Sequence, residues 1–141
     1  MDILAELREV YKQEWWHTVR IPDEELDKYH RKLLKQGNIF YIDRYTLVAY
    51  IEYWKITDEQ LDEILVNDNW SAYHNNIIDG NISFVANIWI HPDYRGNKLI
   101  DKALKDMYLE RSKGCKKLVW KRNRRGKPMK LFTYGGNDGK Q

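Results

Sequence analysis

The sequence predicts an α/β domain, a mixed sheet with helices packed on its faces. Three observations carry that expectation. Apolar spacing is helical through the first 36 residues and turns strand-like after Gly37. A nine-residue strand, Ile82 to Ile90, runs through a short turn into a long amphipathic helix. Finally, 141 residues with 43% hydrophobic and 13% aromatic content can build one core but not two.

Taken in order, the first element places Ile3, Leu4, Leu7, Val10, Tyr11 and Trp15 at helical spacing between Asp2 and about Trp16. A second helix opens at Pro22, with Asp23, Glu24 and Glu25 complementing its positive end. Lys35 lies in its last turn, and Gly37 stops it. Ile39–Ile42 and Thr46–Ile56 are rich in β-branched and aromatic residues, and Asp43-Arg44 between them reads as the tight turn of a hairpin. Thr57-Asp58-Glu59-Gln60 is a capping box that starts a third helix through Leu61, Ile64 and Leu65. Residues 67–81 are polar and turn-rich, which predicts a loop. After the strand Ile82–Ile90 and the turn His91-Pro92-Asp93, a helix runs from Asn97 to about Lys113 and stops at Gly114. Strands over 116–122 and 129–134 follow, with Leu118 and Trp120 expected on a core face and Val119 opposite. No repeat or linker interrupts this order. It predicts a single domain over 1–134 and a Gly-rich tail over 135–141.

Composition excludes several classes. Six Trp and ten Tyr supply apolar surface that a disordered chain lacks. No apolar run approaches the ~20 residues of a membrane span, and the acidic start MDILAELREV is unlike a signal peptide. Cys115, the single cysteine, excludes an internal disulfide framework and points to a reducing, cytoplasmic setting. His17, His30, His74 and Cys115 lack metal-ligand spacing, so no metal site is expected.

The charge is uneven. Residues 1–110 carry 13 Lys+Arg against 20 Asp+Glu, whereas residues 111–141 carry 11 basic residues against Asp138 alone. The basic end either neutralises the chain's own acidic part or faces an anionic partner. Arg122, Arg124, Arg125 and Lys127, interleaved with Trp120, Phe132 and Tyr134, form the candidate surface. Nucleic acid is one partner of that chemistry, through phosphate contacts and stacking.

The segment NIWIHPDYRGNKLIDKALKDM carries the clearest chemistry. A helix N-terminus exposes N–H groups without internal partners, and its dipole adds roughly half a positive charge. That favours an anion, phosphate above all. Gly96 allows close backbone approach, and Arg95 and Lys98 add cations at the rim.

Here PDYRGNKLI resembles the acyl-coenzyme A loop of the GCN5-related N-acetyltransferases (the GNAT superfamily), written Arg/Gln-x-x-Gly-x-Gly/Ala. The order of elements over roughly residues 1–122 is similar as well. The resemblance implies a GNAT-like fold, truncated after the strand at 116–122, with acetyl-CoA as cosubstrate and an amine as acceptor. It places the coenzyme diphosphate at Arg95, Gly96, Asn97, Lys98, Leu99 and Ile100, and the pantetheine arm along Ile88, Trp89 and Ile90. Lys98 and Ile100 depart from the pattern's small residues, and Ile100 is expected to crowd the mouth of the helix. The helix that in the family often supplies a tyrosine acid is missing.

Two ionisable groups are candidates for the proton chemistry of acyl transfer: Glu52 on the second hairpin strand and His91 at the end of the long strand. The alternatives are a solvent-facing strand residue for Glu52 and a turn residue for His91. The compact pattern is also similar to short acetyltransferase-like proteins of bacteriophages, some of them virion components. A catalytically inactive scaffold with a protein assembly partner, in host cytoplasm or virion, is therefore the alternative function.

Overall fold

A computed structural model describes residues 1–14, 21–67, 70–122 and 130–134. Helices α1 (Ile3–Glu14) and α2 (Asp23–Gln36) precede the hairpin of β1 (Ile39–Arg44) and β2 (Thr46–Ile56). Helix α3 (Asp58–Val66), strand β3 (Ile82–Ile90), helix α4 (Lys98–Arg111) and strands β4 (Lys117–Arg122) and β5 (Lys130–Tyr134) complete the order. The five strands lie in sequence order in one mixed sheet, with only β3 and β4 parallel. Trp15, Trp16, the turn at Gly126, Arg124, Arg125, Lys127 and the tail 135–141 lie outside the described residues.

Local chemistry explains most of the boundaries. Gly37 adopts φ 82° at the end of α2. Its N–H meets the Leu34 carbonyl and the Asn38 N–H meets the Leu33 carbonyl, which closes the helix. The Thr57–Gln60 capping box forms in both directions. The hairpin turn differs from expectation. Strand β1 continues through Asp43 and Arg44, Arg44 pairs with Thr46, and the reversal falls on Tyr45 at φ 67°. Tyr45 bears that conformation with its side chain 97% exposed, so no packing opposes the turn.

The sheet is covered on both faces. Leu7 and Val10 of α1, Leu33 of α2 and Leu61 and Ile64 of α3 pack on one side, against Tyr50, Ile56, Phe84 and Trp89. Leu104 and Tyr108 of α4 pack on the other, against Ile51, Tyr53, Val85 and Leu118. At Val119 strand β4 departs from the alternation the sequence predicts. Val119 is fully buried on the first side and Leu118 on the second, as expected of a strand paired in parallel within the sheet. The loop before β3 is not merely surface, since Ala72 and Ile77 are buried in the core. Asn38 pins this loop by donating to the carbonyls of Tyr53 and Ile77.

His30 sits on the buried face of α2 with Leu26 and Leu33, and its Nδ1 has no hydrogen-bond partner among the described residues. Burial pushes its pKa down to about 4, with Asp27 opposing weakly. The unfolded chain takes up this proton near pH 6.5 and the folded chain only near 4. The associated stability is complete above pH 6.5 and is lost as the pH falls toward 4, by about 3 kcal/mol. His30→Leu should therefore flatten the acid limb of stability between pH 6.5 and 4, read by urea unfolding at a series of pH values. An unchanged limb would assign the acid sensitivity to other groups.

Candidate functional site

The site begins with a mismatch in strand pairing. Strand β4 pairs with β3 only from Ile82↔Lys117 to Val85↔Trp120. The rest of β3, Ala86–Ile90, has β2 on one edge and no described strand on the other. A bulge falls at the same place: Glu52 pairs with Asn87 and Tyr53 with Val85, which leaves Ala86 unmatched. Such an extra residue bends and twists its strand. Here it lies just past the last β4 pair, where β3 diverges.

Hydrogen bonds fix which backbone groups face the gap. The His91 N–H donates to the Val48 carbonyl on β2. By the alternation of an antiparallel ladder, Ile90 and Ile88 then turn their N–H and C=O to the open side. Arg95 confirms that direction, because its Nε donates to the Ile90 carbonyl at 2.8 Å. The Ile88 side chain is 51% exposed, whereas Trp89 packs into the core beside Tyr50.

Beyond β3, a single 3-10 turn (Pro92–Tyr94) leads to Gly96 at φ 84°, around which nothing would obstruct even a Cβ. Asn97 caps α4, its Oδ1 accepting from the N–H groups of Leu99 at 2.9 Å and Ile100 at 3.2 Å. Lys98 is exposed, and Leu99 is 78% exposed. Ile100 does not crowd the helix mouth. It shares the stripe of Leu104 and Met107 and packs against the core on the α4 side.

Glu52 is not a solvent-facing strand residue. It is 3% exposed and accepts three hydrogen bonds. Tyr29 OH (2.5 Å) and Trp54 Nε1 (3.0 Å) donate to Oε2, and Asn87 Nδ2 (2.9 Å) donates to Oε1. With every neighbour donating, both oxygens act as acceptors. Burial, with Glu52 adding to it, holds the Tyr29 and Tyr50 hydroxyls well above their ordinary range. Sequence reasoning missed Tyr29, Trp54 and Asn87 as the partners of this carboxylate. They come from α2, β2 and β3, and only the bulge brings Asn87 opposite.

His91 occupies the other end of the same stretch. Its Nδ1 accepts from the Asp93 N–H at 3.0 Å, which places the proton of the neutral ring on Nε2, and the rings of Trp89 and Tyr94 flank it edge-on. Four residues of extended strand separate it from Asn87, roughly 13 Å. Glu52 and His91 are therefore not brought together. Cys115 is buried, and burial pushes its thiol up, an environment that disfavours thiolate chemistry. Of the basic cluster only Arg122 is described, at the end of β4 and paired in backbone register with Lys130. Among the described residues no group of His, Cys, Asp and Glu is arranged to hold a metal ion, and no helix is long and apolar enough to cross a membrane.

Among the described residues, an open strand edge thus leads through a short loop into the N-terminus of a helix, which favours an anion. The chain belongs to the acetyltransferase (GNAT) family, whose sequence profile matches residues 2–129. Its fold is similar to the loading GNATL domain of CurA from Lyngbya majuscula, with a TM-score of 0.60 and 20% identity over 89% of this chain. It is also similar to the GphF GNAT-like decarboxylase in complex with isobutyryl-CoA, with a TM-score of 0.62 and 14% identity over 84% of this chain. A ribosomal-protein-alanine N-acetyltransferase from Brucella melitensis aligns at a TM-score of 0.47 and 13% identity over 84% of this chain. The chain spans 65%, 60% and 65% of these three structures in turn. Comparison with curated protein sequences finds no match.

The three donors around Glu52 set its stability test. Glu52→Ala strands all three in the interior and should cost about 3 kcal/mol in urea unfolding. Glu52→Gln should cost about 1 kcal/mol, because its carbonyl can serve Tyr29 and Trp54 while the Asn87 amide flips to accept. Equal losses in the two variants would contradict this account.

Proposed function

We propose that the chain is an acyl-CoA-dependent N-acyltransferase, with acetyl as the acyl group and an amine as acceptor. The observation that carries this reading is the edge of β3 over Ala86–Ile90, which no described strand pairs and which is continuous with the loop and the head of α4. The extended pantetheine arm, an amide chain, pairs with that edge along Ile88, Trp89 and Ile90, much as an added strand would. The diphosphate lies at Arg95, Gly96, Asn97, Lys98, Leu99 and Ile100, where cations and the helix dipole favour it. The isobutyryl-CoA in the GphF structure supports an acyl-coenzyme as the ligand of this fold.

This orientation puts the thioester near the bulge and so assigns the two candidate residues different work. Glu52, beside the bulge, accepts the proton lost by the attacking amine. Since Glu52 is buried, the proton reaches it through the Tyr29 hydroxyl, which donates to it at 2.5 Å. The amine nitrogen bonds to the acyl carbon, the C–S bond breaks, and the thiolate leaves. His91, at the diphosphate end, is too far along the strand to share that step and offers an Nε2–H donor instead.

A second reading is a non-catalytic GNAT scaffold, of the kind found in short bacteriophage proteins and held in a protein assembly. The residue that favours it is Lys98, at a small-residue position of the coenzyme loop. Isothermal titration with acetyl-CoA separates the two. The enzyme reading expects saturable heat. Ile88→Pro, which removes an N–H from the open edge but no bond to β2, should weaken binding at least about ten-fold while shifting the melting temperature little. No heat from the folded wild-type chain favours the scaffold.

A further inference from the structure

The backbone N–H groups around the head of α4 can be followed one by one. That of Arg95 reaches the Pro92 carbonyl, that of Asn97 the Tyr94 carbonyl and that of Asp101 the Asn97 carbonyl. Those of Leu99 and Ile100 both go to the Asn97 side chain. Only Gly96 and Lys98 keep N–H groups without a bond among the described residues. The helix that should receive a diphosphate therefore has two of its first-turn donors already engaged, and by its own N-cap.

We propose that the Asn97 side chain is a built-in stand-in for the diphosphate, and that coenzyme binding requires it to swing away from the Leu99 and Ile100 amides. This inference rests on the acyl-CoA reading and specifies how that site is held without ligand. Each N–H donates well to one acceptor, so the amide oxygen and a phosphate oxygen compete for the same pair. A phosphate oxygen is the stronger acceptor, because it is charged and faces the positive end of the dipole. Nothing else holds the Asn97 side chain among the described residues. The residue is exposed, and its side chain makes no other hydrogen bond among the described residues. The surroundings are already clear of the cradle. Ile100 is turned into the core, and Gly96 has open space around it. Arg95 stays fixed to the Ile90 carbonyl, so the strand edge and the helix head keep their relative position while Asn97 moves. Asn97 thus sets coenzyme affinity: it stabilises the ligand-free helix and opposes the ligand by the same bonds.

The test is calorimetric titration of the full chain with free coenzyme A, alongside thermal melts without ligand. Asn97→Ala should melt lower yet bind about five-fold tighter, the factor that corresponds to a typical N-cap contribution. Asn97→Gly, which caps nearly as well through its backbone, provides the same removal if the alanine variant does not fold. Asn97→Asp should keep its melting temperature, because it still caps, and bind at least about ten-fold more weakly because its charge faces the phosphates. Binding to the wild type that is equal or tighter than to Asn97→Ala overturns the inference and leaves the acyl-CoA reading standing. Absence of binding to every folded variant overturns both. Binding to Asn97→Ala with none to the wild type supports the inference and overturns the acyl-CoA reading for the wild-type chain.

Discussion

A strand inside a sheet has two edges of N–H and C=O groups, and each must be met. Strand β3 meets this requirement along β2 for its whole length but along β4 for only four residues. Everything distinctive in the molecule follows from the remaining half-edge. It exists because β3 carries an extra residue at Ala86 and bends away from β4. Glu52 stands directly across the bulge, and its bond from Asn87 holds the displaced strand to β2. Its bond from Tyr29 holds α2 over the same point. One buried carboxylate thus fixes the place where the strands part, which ties the sheet's irregularity to the residue proposed to take the proton.

The protein manages the exposed polar groups of this region with its own side chains. Arg95 satisfies the Ile90 carbonyl, and Asn97 satisfies two amides of α4. Both devices are local, both sit at the surface, and neither depends on core packing. They differ in consequence. Arg95 links two elements and keeps the guanidinium Nη groups available, so it stabilises the site without filling it. Asn97 fills part of it. An N-terminus strong enough to attract an anion is also strong enough to recruit the nearest neutral acceptor.

What the sequence conveyed and what it did not divide along the range of the interactions. The stop at Gly37 and the box at Thr57 depend on residues within four positions, and both were readable from the chain. The strand-loop-helix segment was readable for the same reason. Tyr45 was not, because nothing but a non-glycine residue in a left-handed conformation marks that turn. The bulge at Ala86 carries no glycine or proline to announce it. The burial of Glu52 depends on residues 23 positions upstream and 35 downstream, whose approach only the completed sheet defines. Val119 was misplaced because alternation assumes one wet face, whereas helices cover both faces of this sheet.

The distribution of charge bears on how such a site works. Arg95 and Lys98 lie in the part of the chain where acids outnumber bases, 20 to 13 through residue 110. On the proposed reading, an anion at the head of α4 is drawn mainly by groups close to it. What acts there is short-ranged: a few oriented N–H groups, one helix dipole and two cationic side chains within a single turn. Short-range donors discriminate by geometry, so the presence or absence of one competing amide oxygen matters more than the net charge around it. On the proposed reading, the control of affinity lies in Asn97 rather than in the basic end of the chain.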